Sequence, residues 1–191
     1  MNALIVNLQS VVELTDEQFF KLCQANRDLR FERTATGELI IMPPTGGGTG
    51  NRNAGITAQL WVWNEQSKQG IVFDSSTCFK LPNGADRSPD AAWIKLERWD
   101  ALTEDEKEKF PPISPDFVIE LLSPSDSLKA AQDKMKEYID NGVILGFLIN
   151  RKSRQLEIYR KGKEVEVLES PASVSGENVL VGFVLNVETI W

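Results

Sequence analysis

The sequence predicts an α/β or α+β fold in which helices flank a mixed central β-sheet. Segments with helical periodicity alternate with short apolar runs of strand length, a pattern typical of layered helix-and-sheet folds. The 191 residues are enough for one sizeable core, and 41% of them are hydrophobic. No internal repeat or flexible linker divides the chain. We therefore predict a single domain over residues 1–191.

The first predicted elements are a helix and a β-hairpin. Thr15 and Gln18 have the spacing of a capping box, which marks the start of a helix whose apolar face continues to about Asn26. Two strand patterns follow at residues 29–33 and 38–42, separated by a short turn. Together these elements form a predicted N-terminal helix-and-hairpin unit, residues 15–42.

The central part of the chain, about residues 45–168, is predicted to contain most of the sheet and two long helices. A glycine-rich segment at 45–50 leads into the first helix, which ends at Gly70, and the second helix spans about residues 127–141. A C-terminal strand segment is predicted within residues 177–191. Strand patterns of the central part occur at residues 71–73, 77–80, 91–94, 117–122, 143–149, 155–160 and 164–168.

The absence of histidine narrows the available chemistry more than any other feature of the composition. It excludes Ser-His-Asp and Cys-His catalysis, histidine-based nucleases and histidine-based zinc hydrolases. Two distant cysteines, Cys23 and Cys78, form no CxxC pattern and indicate neither a disulfide framework nor a structural zinc site. Hydrolytic chemistry in this chain therefore depends on carboxylates, lysine and a hard metal ion.

The net charge of the chain bears on whether it binds nucleic acid, and its apolar segments bear on whether it associates with a membrane. The net charge of −7 argues against a general nucleic-acid binder, which usually carries a basic face, but it is compatible with a local basic groove. The first residues lack a basic leader, and no segment approaches about 18 continuous apolar residues. We therefore expect a cytoplasmic protein without membrane association.

Two acidic residues occupy positions where an isolated carboxylate is costly. Glu120 lies within the otherwise apolar strand pattern 117–122, where burying an unpaired carboxylate costs on the order of several kcal/mol. Asp90 follows a proline at the start of another strand pattern. Carboxylates on adjacent strands can converge on one ion, and Mg²⁺ accepts one or two of them with waters and phosphate oxygens. Asp90 and Glu120 are therefore the candidate metal ligands.

Lys134 is the candidate cation beside these carboxylates. In the predicted helix 127–141 it lies next to the packed stripe, one residue before Met135 and a helical turn before Tyr138. Its stem can pack while its ammonium group reaches toward the sheet, where it would orient a water molecule or stabilise developing charge. Lys136 lies about 200° around the helix from Lys134, so the two cannot share one site.

The motifs around these residues resemble a bacterial family of predicted restriction endonucleases. That family was formerly a domain of unknown function and belongs to the PD-(D/E)xK superfamily. The resemblance is carried by Ser-Pro-Asp90, by Glu120-Leu-Leu-Ser-Pro-Ser-Asp126 and by Lys134-Met-Lys-Glu-Tyr138. It implies a restriction-endonuclease-like fold, a Mg²⁺ or Mn²⁺ site, endonuclease activity on DNA and a homodimer.

The resemblance also assigns roles to individual residues. It matches Asp90 and Glu120 to the acidic pair of metal ligands, and Glu32 to an additional N-terminal glutamate that joins the catalytic group. The usual superfamily lysine, two residues after the glutamate, is replaced here by Leu122. This departure implies that the family has moved the lysine onto the helix, as Lys134.

Each candidate residue also has a purely structural interpretation. Asp90 can cap backbone amides at a strand entry, and Glu120 can form a buried ion pair with an arginine or lysine. Lys134 can be an ordinary lysine of an amphipathic helix, and Glu32 can be an exposed charge on a hairpin strand. For the whole chain, the alternatives to a DNA endonuclease are an inactive nuclease-fold module for nucleic-acid binding or assembly, and a hydrolase of smaller phosphate esters.

Four further patterns receive structural interpretations. The glycine-rich segment 45–50 lacks the Gly-Lys-Ser/Thr ending of a nucleotide-binding loop and is interpreted as a hinge or a close backbone approach. Basic residues within 151–163 fall at two turns on opposite ends of a strand, and we interpret them as solvated turns, one of which could touch a phosphate backbone. Ser125 and Asp126 are predicted to cap the second long helix. Four tryptophans are predicted to be core or interface residues: Trp61, Trp63, Trp93 and Trp99.

Overall fold

The computed structural model describes residues 3–8 and 11–191. The helices in these ranges are α1 (Asp16–Ala25), α2 (Gly47–Ser67), α3 (Leu96–Asp100), α4 (Glu104–Glu108) and α5 (Leu128–Asp140). The strands are β1 (Leu4–Val6), β2 (Arg30–Arg33), β3 (Leu39–Met42), β4 (Gly70–Asp74), β5 (Phe79–Lys80), β6 (Asp86–Arg87), β7 (Ala91–Lys95), β8 (Phe117–Leu121), β9 (Leu145–Asn150), β10 (Gln155–Arg160), β11 (Glu166–Glu169), β12 (Ser173–Ser175) and β13 (Val184–Asn186). No helix of the described residues is long and apolar enough to cross a membrane.

A six-stranded mixed sheet forms the centre of the fold, in the order β11-β10-β9-β8-β7-β4. Strands β8 and β9 are parallel because α5 connects them as a crossover, and every other neighbouring pair is antiparallel. The predicted mixed sheet is therefore confirmed.

Helices cover both faces of this sheet, as predicted. The α2 face buries Ile56 and Leu60 against Phe117 and Ile119 of β8. The α5 face buries Met135 and Tyr138 against Val118 and Leu148 of the sheet. Because side chains alternate along a strand, Glu120 points to the same face as Val118 and therefore toward α5.

The strands outside the central sheet form two smaller sheets, which the prediction of one sheet missed. The predicted hairpin is present as β2 and β3, and it belongs to a five-stranded sheet in the order β1-β3-β2-β6-β5. The C-terminal segment contains β13, which pairs with the unpredicted strand β12.

Helix α2 corrects two expectations about glycine. The glycine-rich segment is the first turn of this helix, with Gly46 as its N-cap, rather than a hinge. The glycines are not needed for a close approach of another part of the chain either, because a Cβ at Gly47 or Gly50 would have no atom within 4 Å. The helix ends at Ser67, and its C-cap is Lys68, which adopts left-handed backbone with φ 54°, so the helix does not extend to Gly70. Gly70 lies in β4, where a Cβ would lie 2.2 Å from a carbonyl oxygen of Ile94.

The helix ends are set by local hydrogen bonds. The predicted capping box of α1 is present, since Thr15 and Gln18 each accept a hydrogen bond from the backbone of the other. Helix α5 is capped by Ser127, so the prediction of Ser125 and Asp126 as caps was wrong. Asp126 instead accepts a hydrogen bond from the Ser123 backbone N–H at 2.8 Å.

Three of the four tryptophans lie in or against the core, as predicted, and for the exposed Trp61 an interface role stays a prediction. Trp93 is buried in the core on the α2 face, and Trp63 and Trp99 pack against the two cores while partly exposed. Trp61, also on α2, is 52% exposed.

Candidate active site

The register of β7 and β8 brings the two predicted metal ligands together at one edge of the central sheet. Ala91 pairs with Ile119 in the antiparallel direction, so the next positions outward are Asp90 and Glu120. Asp90 Oδ2 accepts a hydrogen bond from the Leu121 backbone N–H at 2.8 Å, which fixes its carboxylate against the end of β8. The two carboxyl groups are therefore neighbours on adjacent strands.

Helix α5 supplies the lysine. Lys134 Nζ lies 2.8 Å from Glu120 Oε1 and 2.8 Å from Glu32 Oε1, and only 16% of the Lys134 side chain is exposed. The Tyr138 hydroxyl, one helical turn further, also donates to Glu120 Oε1, at 3.0 Å. Lys136 is exposed on the other side of the helix. The expected reach of Lys134 toward the sheet is present, whereas an ordinary solvated helix lysine would not be buried.

Glu32 reaches this group from β2, in the five-stranded sheet. Its side chain is 4% exposed, so the alternative of an exposed hairpin charge is wrong. Glu32 Oε1 accepts hydrogen bonds from Lys134 Nζ at 2.8 Å and from the Ser88 backbone N–H at 3.0 Å. Its Oε2 accepts from Arg87 Nη1 at 3.1 Å, and Arg87 Nε donates to Glu137 Oε2 at 2.6 Å. Glu32 thus joins the second sheet to α5 and to the chain preceding Asp90.

The pKa values of the carboxylates in this cluster are shifted in different directions. Burial raises the pKa of Glu120, Lys134 opposes the effect, and the negative charges of Asp90 and Glu32 reinforce it, so the pKa reaches about 7. Burial likewise raises the pKa of Asp90 against the hydrogen bond from the Leu121 backbone. For Glu32, burial is outweighed by the cations Lys134 and Arg87, which lower its pKa.

Lys134 remains an ammonium ion. Burial alone would lower its pKa, but the charges of Glu120 and Glu32 outweigh burial and raise the pKa above its usual value. Within this cluster Lys134 is therefore a proton donor and a positive charge, and it has no free lone pair at neutral pH.

The cluster carries more negative than positive charge. Four carboxylates face two cations, which gives a formal charge of −2 when all the groups are ionised. One divalent cation would balance this charge. The carboxylates are Asp90, Glu120, Glu32 and Glu137, and the cations are Lys134 and Arg87.

Asn53 of α2 contributes an oxygen beside the carboxylates. Its Nδ2 donates to Asp90 Oδ1 at 2.6 Å, while its Oδ1 is buried without a hydrogen-bond partner. A buried oxygen of this kind is rare unless it faces an unseen water or ion. The Asn53 amide therefore offers an additional oxygen close to Asp90.

The donor set fits a small hard cation with few protein ligands. Among residues 3–8 and 11–191, no group of three or more His, Cys, Asp or Glu side chains is arranged to hold a metal. This excludes an all-protein cage of such ligands in that part of the chain. Two carboxylates with one amide oxygen suit Mg²⁺ or Mn²⁺, because these ions retain waters and also accept phosphate oxygens.

A surface cavity adjoins the cluster. It has a volume of about 470 Å³ and is lined by Asn53, the exposed Trp61 and Arg30, among others. A second cavity, of about 600 Å³, lies around Asp16 and Arg33, where the charges are already paired with each other. The first cavity is the relevant one, because Asn53 belongs both to its wall and to the carboxylate cluster.

Sequence reasoning missed Asn53, Arg87 and Glu137. Asn53 lies 37 residues before its partner Asp90 and has no motif around it that indicates a site. Arg87 offered a weak signal, since it precedes Asp90 by three residues, at the end of β6. Glu137 lies one helical turn after Lys134, which in retrospect is the spacing of a shared face.

Comparisons with known proteins identify the family and the fold. A sequence model of the family described as "Uma2: Putative restriction endonuclease" matches residues 16–188. A solved structure described as a "putative nuclease belonging to DUF820", from Anabaena variabilis, matches with a TM-score of 0.77 at 19% sequence identity. The match covers 93% of this chain and 97% of that one, and it shows the same restriction-endonuclease-like fold. No curated protein matches the chain.

Proposed function

The chain belongs to the Uma2 family, and we propose that it is a metal-dependent endonuclease that hydrolyses phosphodiester bonds in DNA. One observation carries the proposal: Asp90 and Glu120 lie side by side, both partly exposed, and the Lys134 ammonium group lies 2.8 Å from Glu120. Asp and Glu oxygens can hold a metal ion. An ammonium group fixed beside them can bind a phosphodiester and balance the negative charge of its transition state.

Asp90 and Glu120 would hold Mg²⁺ or Mn²⁺, with Asn53 Oδ1 as an additional oxygen. When bound, such an ion supplies an activated water and neutralises charge on the phosphate oxygens. The protein prepares this site through hydrogen bonds: the Leu121 backbone and Asn53 orient Asp90, and the Tyr138 hydroxyl orients Glu120. These contacts leave excess negative charge when the carboxylates are ionised, and a divalent cation would balance it.

Lys134 would orient the attacking water and donate hydrogen bonds to the phosphate as negative charge develops. Its raised pKa keeps it protonated, so it does not act as the general base. Glu32 would position Lys134, because it accepts a 2.8 Å hydrogen bond from Nζ and is ionised across the neutral range. Water would attack phosphorus in line, and the bond to the leaving oxygen would break without a covalent enzyme intermediate.

One observation favours a second candidate, an inactive nuclease-fold module that binds nucleic acid or other proteins. The Lys134–Glu120 and Lys134–Glu32 ion pairs are complete without a metal, as they would be in a purely structural network. The orphaned Asn53 oxygen and the net negative cluster weigh against this candidate, because a structural network would normally satisfy both.

Incubation with several nucleic acids tests the proposal. Supercoiled plasmid, linear duplex, single-stranded DNA and RNA would be incubated with the protein and Mg²⁺ or Mn²⁺, with a chelator control and with purified Asp90→Ala protein. Nicking that requires the metal and disappears in the variant is expected. Cutting of both strands would agree with a homodimer, since two-fold symmetry matches the two strands. Cleavage that survives in Asp90→Ala, or no cleavage of any substrate, would overturn the nuclease proposal.

A further inference from the structure

Two arginines contact Trp191, beyond the carboxylate cluster, and a third follows β9 in the same turn as one of them. Arg52 of α2 donates from Nε to the Ile190 carbonyl oxygen at 2.6 Å and from Nη2 to the Trp191 carbonyl oxygen at 3.2 Å. The Arg154 guanidinium lies over the Trp191 ring, 5.5 Å from its centroid. Arg151, in the same turn as Arg154, has its pKa lowered by burial and by the charge of Arg52. We call these three residues the arginine cluster.

The arginine cluster lacks acidic partners. Within residues 3–8 and 11–191, none of its members forms an ion pair with a carboxylate, although the chain has a net charge of −7. Four other arginines each pair with at least one Asp or Glu: Arg33, Arg87, Arg98 and Arg160. The remaining two, Arg27 and Arg30, hydrogen-bond to Gln24 and Ser75.

A buried donor points to an anion. Arg151 Nε is buried and has no hydrogen-bond partner, although a charged donor in such a position is costly to leave unsatisfied. Arg52 directs three of its N–H groups at the backbone oxygens of Gly48, Ile190 and Trp191, which orient its guanidinium group. Guanidinium groups that are positioned but uncompensated match phosphate oxygens, which they bind through two parallel hydrogen bonds.

The cluster lies at the catalytic edge of the central sheet. Strands β8 and β9 are parallel, with Leu148 opposite Glu120. Strand β9 continues for two residues beyond Leu148, about 7 Å, and Arg151 begins the turn that follows it. Arg52 immediately precedes Asn53, whose amide contacts Asp90 at 2.6 Å. The same edge of the sheet therefore presents first the carboxylates and then the arginines.

We propose that Arg52, Arg151 and Arg154 bind the phosphate backbone of the nucleic acid, within about three nucleotides of the phosphodiester at Asp90 and Glu120. This inference rests on the proposed function, since it names the contact that would hold the substrate of that site. Of the two basic turns noted in the sequence, only the turn that contains Arg151 and Arg154 is given this role. The turn at 161–163 lies at the other end of β10, and the neighbouring Arg160 is already paired with Glu166 and Glu177.

Binding without cleavage tests the inference. Fluorescence anisotropy of a labelled oligonucleotide, single-stranded or annealed to its complement, would be recorded in chelator over a range of NaCl concentrations. We expect Arg151→Gln to weaken binding about ten-fold. It should also reduce the slope of log affinity against log salt by about 0.9 for duplex or about 0.7 for single strands. Arg154→Gln should act in the same direction, and Lys163→Gln, in the exposed distant turn, should change neither quantity.

The outcomes separate this inference from the proposed function. Unchanged affinity and slope in Arg151→Gln and Arg154→Gln would overturn the inference, while metal-dependent cleavage lost in Asp90→Ala would still support the nuclease. Arginine-dependent binding without any cleavage would support the phosphate site and overturn the nuclease. A wild-type protein that binds no oligonucleotide would overturn the inference directly. Arg151→Gln is the primary variant because it removes an unpaired donor, and a thermal melt would verify its folding.

Discussion

Replacing Glu120 by glutamine is expected to stabilise the metal-free protein at pH 8, although the substitution removes an ion pair. Glutamine keeps the shape of the side chain and resembles the protonated carboxyl group. Burial, opposed by Lys134 and reinforced by Asp90 and Glu32, raises the pKa of Glu120 from 4.5 to about 7 in the folded chain. An acid whose pKa is higher in the folded state loses folding stability as it ionises, and here the loss occurs between about pH 4.5 and about pH 7.

The magnitude follows from the two pKa values. Their difference corresponds to about 3 kcal/mol of unfolding free energy at pH 8, because the folded protein binds the proton more tightly than the unfolded chain. Glutamine does not ionise, so the variant should be more stable than wild type by up to about 3 kcal/mol at pH 8 and about equally stable near pH 4.5. Mg²⁺ should close this gap by stabilising only the wild-type protein.

Urea denaturation in chelator, at pH 5 and at pH 8, measures the difference. The matched control is Glu157→Gln, since Glu157 is 6% exposed and accepts hydrogen bonds from Gln132 and Tyr159 outside the cluster. The control should show no gain at pH 8 and no response to Mg²⁺. If Glu120→Gln were less stable than wild type by a similar amount at both pH values, the Glu120–Lys134 pair would be stabilising in its ionised form. The negative charge of ionised Glu120 would then not destabilise the metal-free cluster.

Three further substitutions have defined outcomes. Lys134→Met should slow plasmid nicking by about 100-fold, because the charge beside the phosphate is lost, and a rate within two-fold of wild type would contradict its role. Asn53→Ala should weaken Mn²⁺ binding about ten-fold by calorimetry, through loss of an oxygen and of the hydrogen bond to Asp90; unchanged affinity would exclude this role. Glu32→Gln should destabilise the protein by about 3 kcal/mol at pH 7 in urea denaturation, since it leaves Lys134 and Arg87 without their shared carboxylate. The contribution of ionised Glu32, whose folded pKa is lowered, should disappear as the pH falls through that pKa, so the variant and wild type should converge in acid.

Local periodicity accounts for what could be predicted from the sequence. A carboxylate within an apolar strand pattern identified Glu120, and the helical stripe of Met135 and Tyr138 indicated which face Lys134 shares. Both inferences need only neighbours in sequence, within one strand or one helical turn.

Long-range contacts account for what could not be predicted. The hydrogen bond between Lys134 and Glu32 joins residues 102 positions apart, and it depends on how the five-stranded sheet meets α5. The start of α2 was missed for a related reason. Its glycines favour a loop locally, but burial of Ile56 and Leu60 further along α2 stabilises the whole helix. The short strand β12 has a polar sequence that carries no strand pattern, and its pairing with β13 alone defines it.

Titration of the protein with Mn²⁺ by calorimetry tests the central claim most directly, namely that Asp90 and Glu120 together hold one divalent cation. We predict a single site per chain in wild type and in Glu157→Gln, with affinity that rises between pH 5 and pH 8 as Glu120 ionises. Binding should be lost in Asp90→Asn and in Glu120→Gln. Equal binding by all four proteins would contradict the account, because the cation would then be held elsewhere.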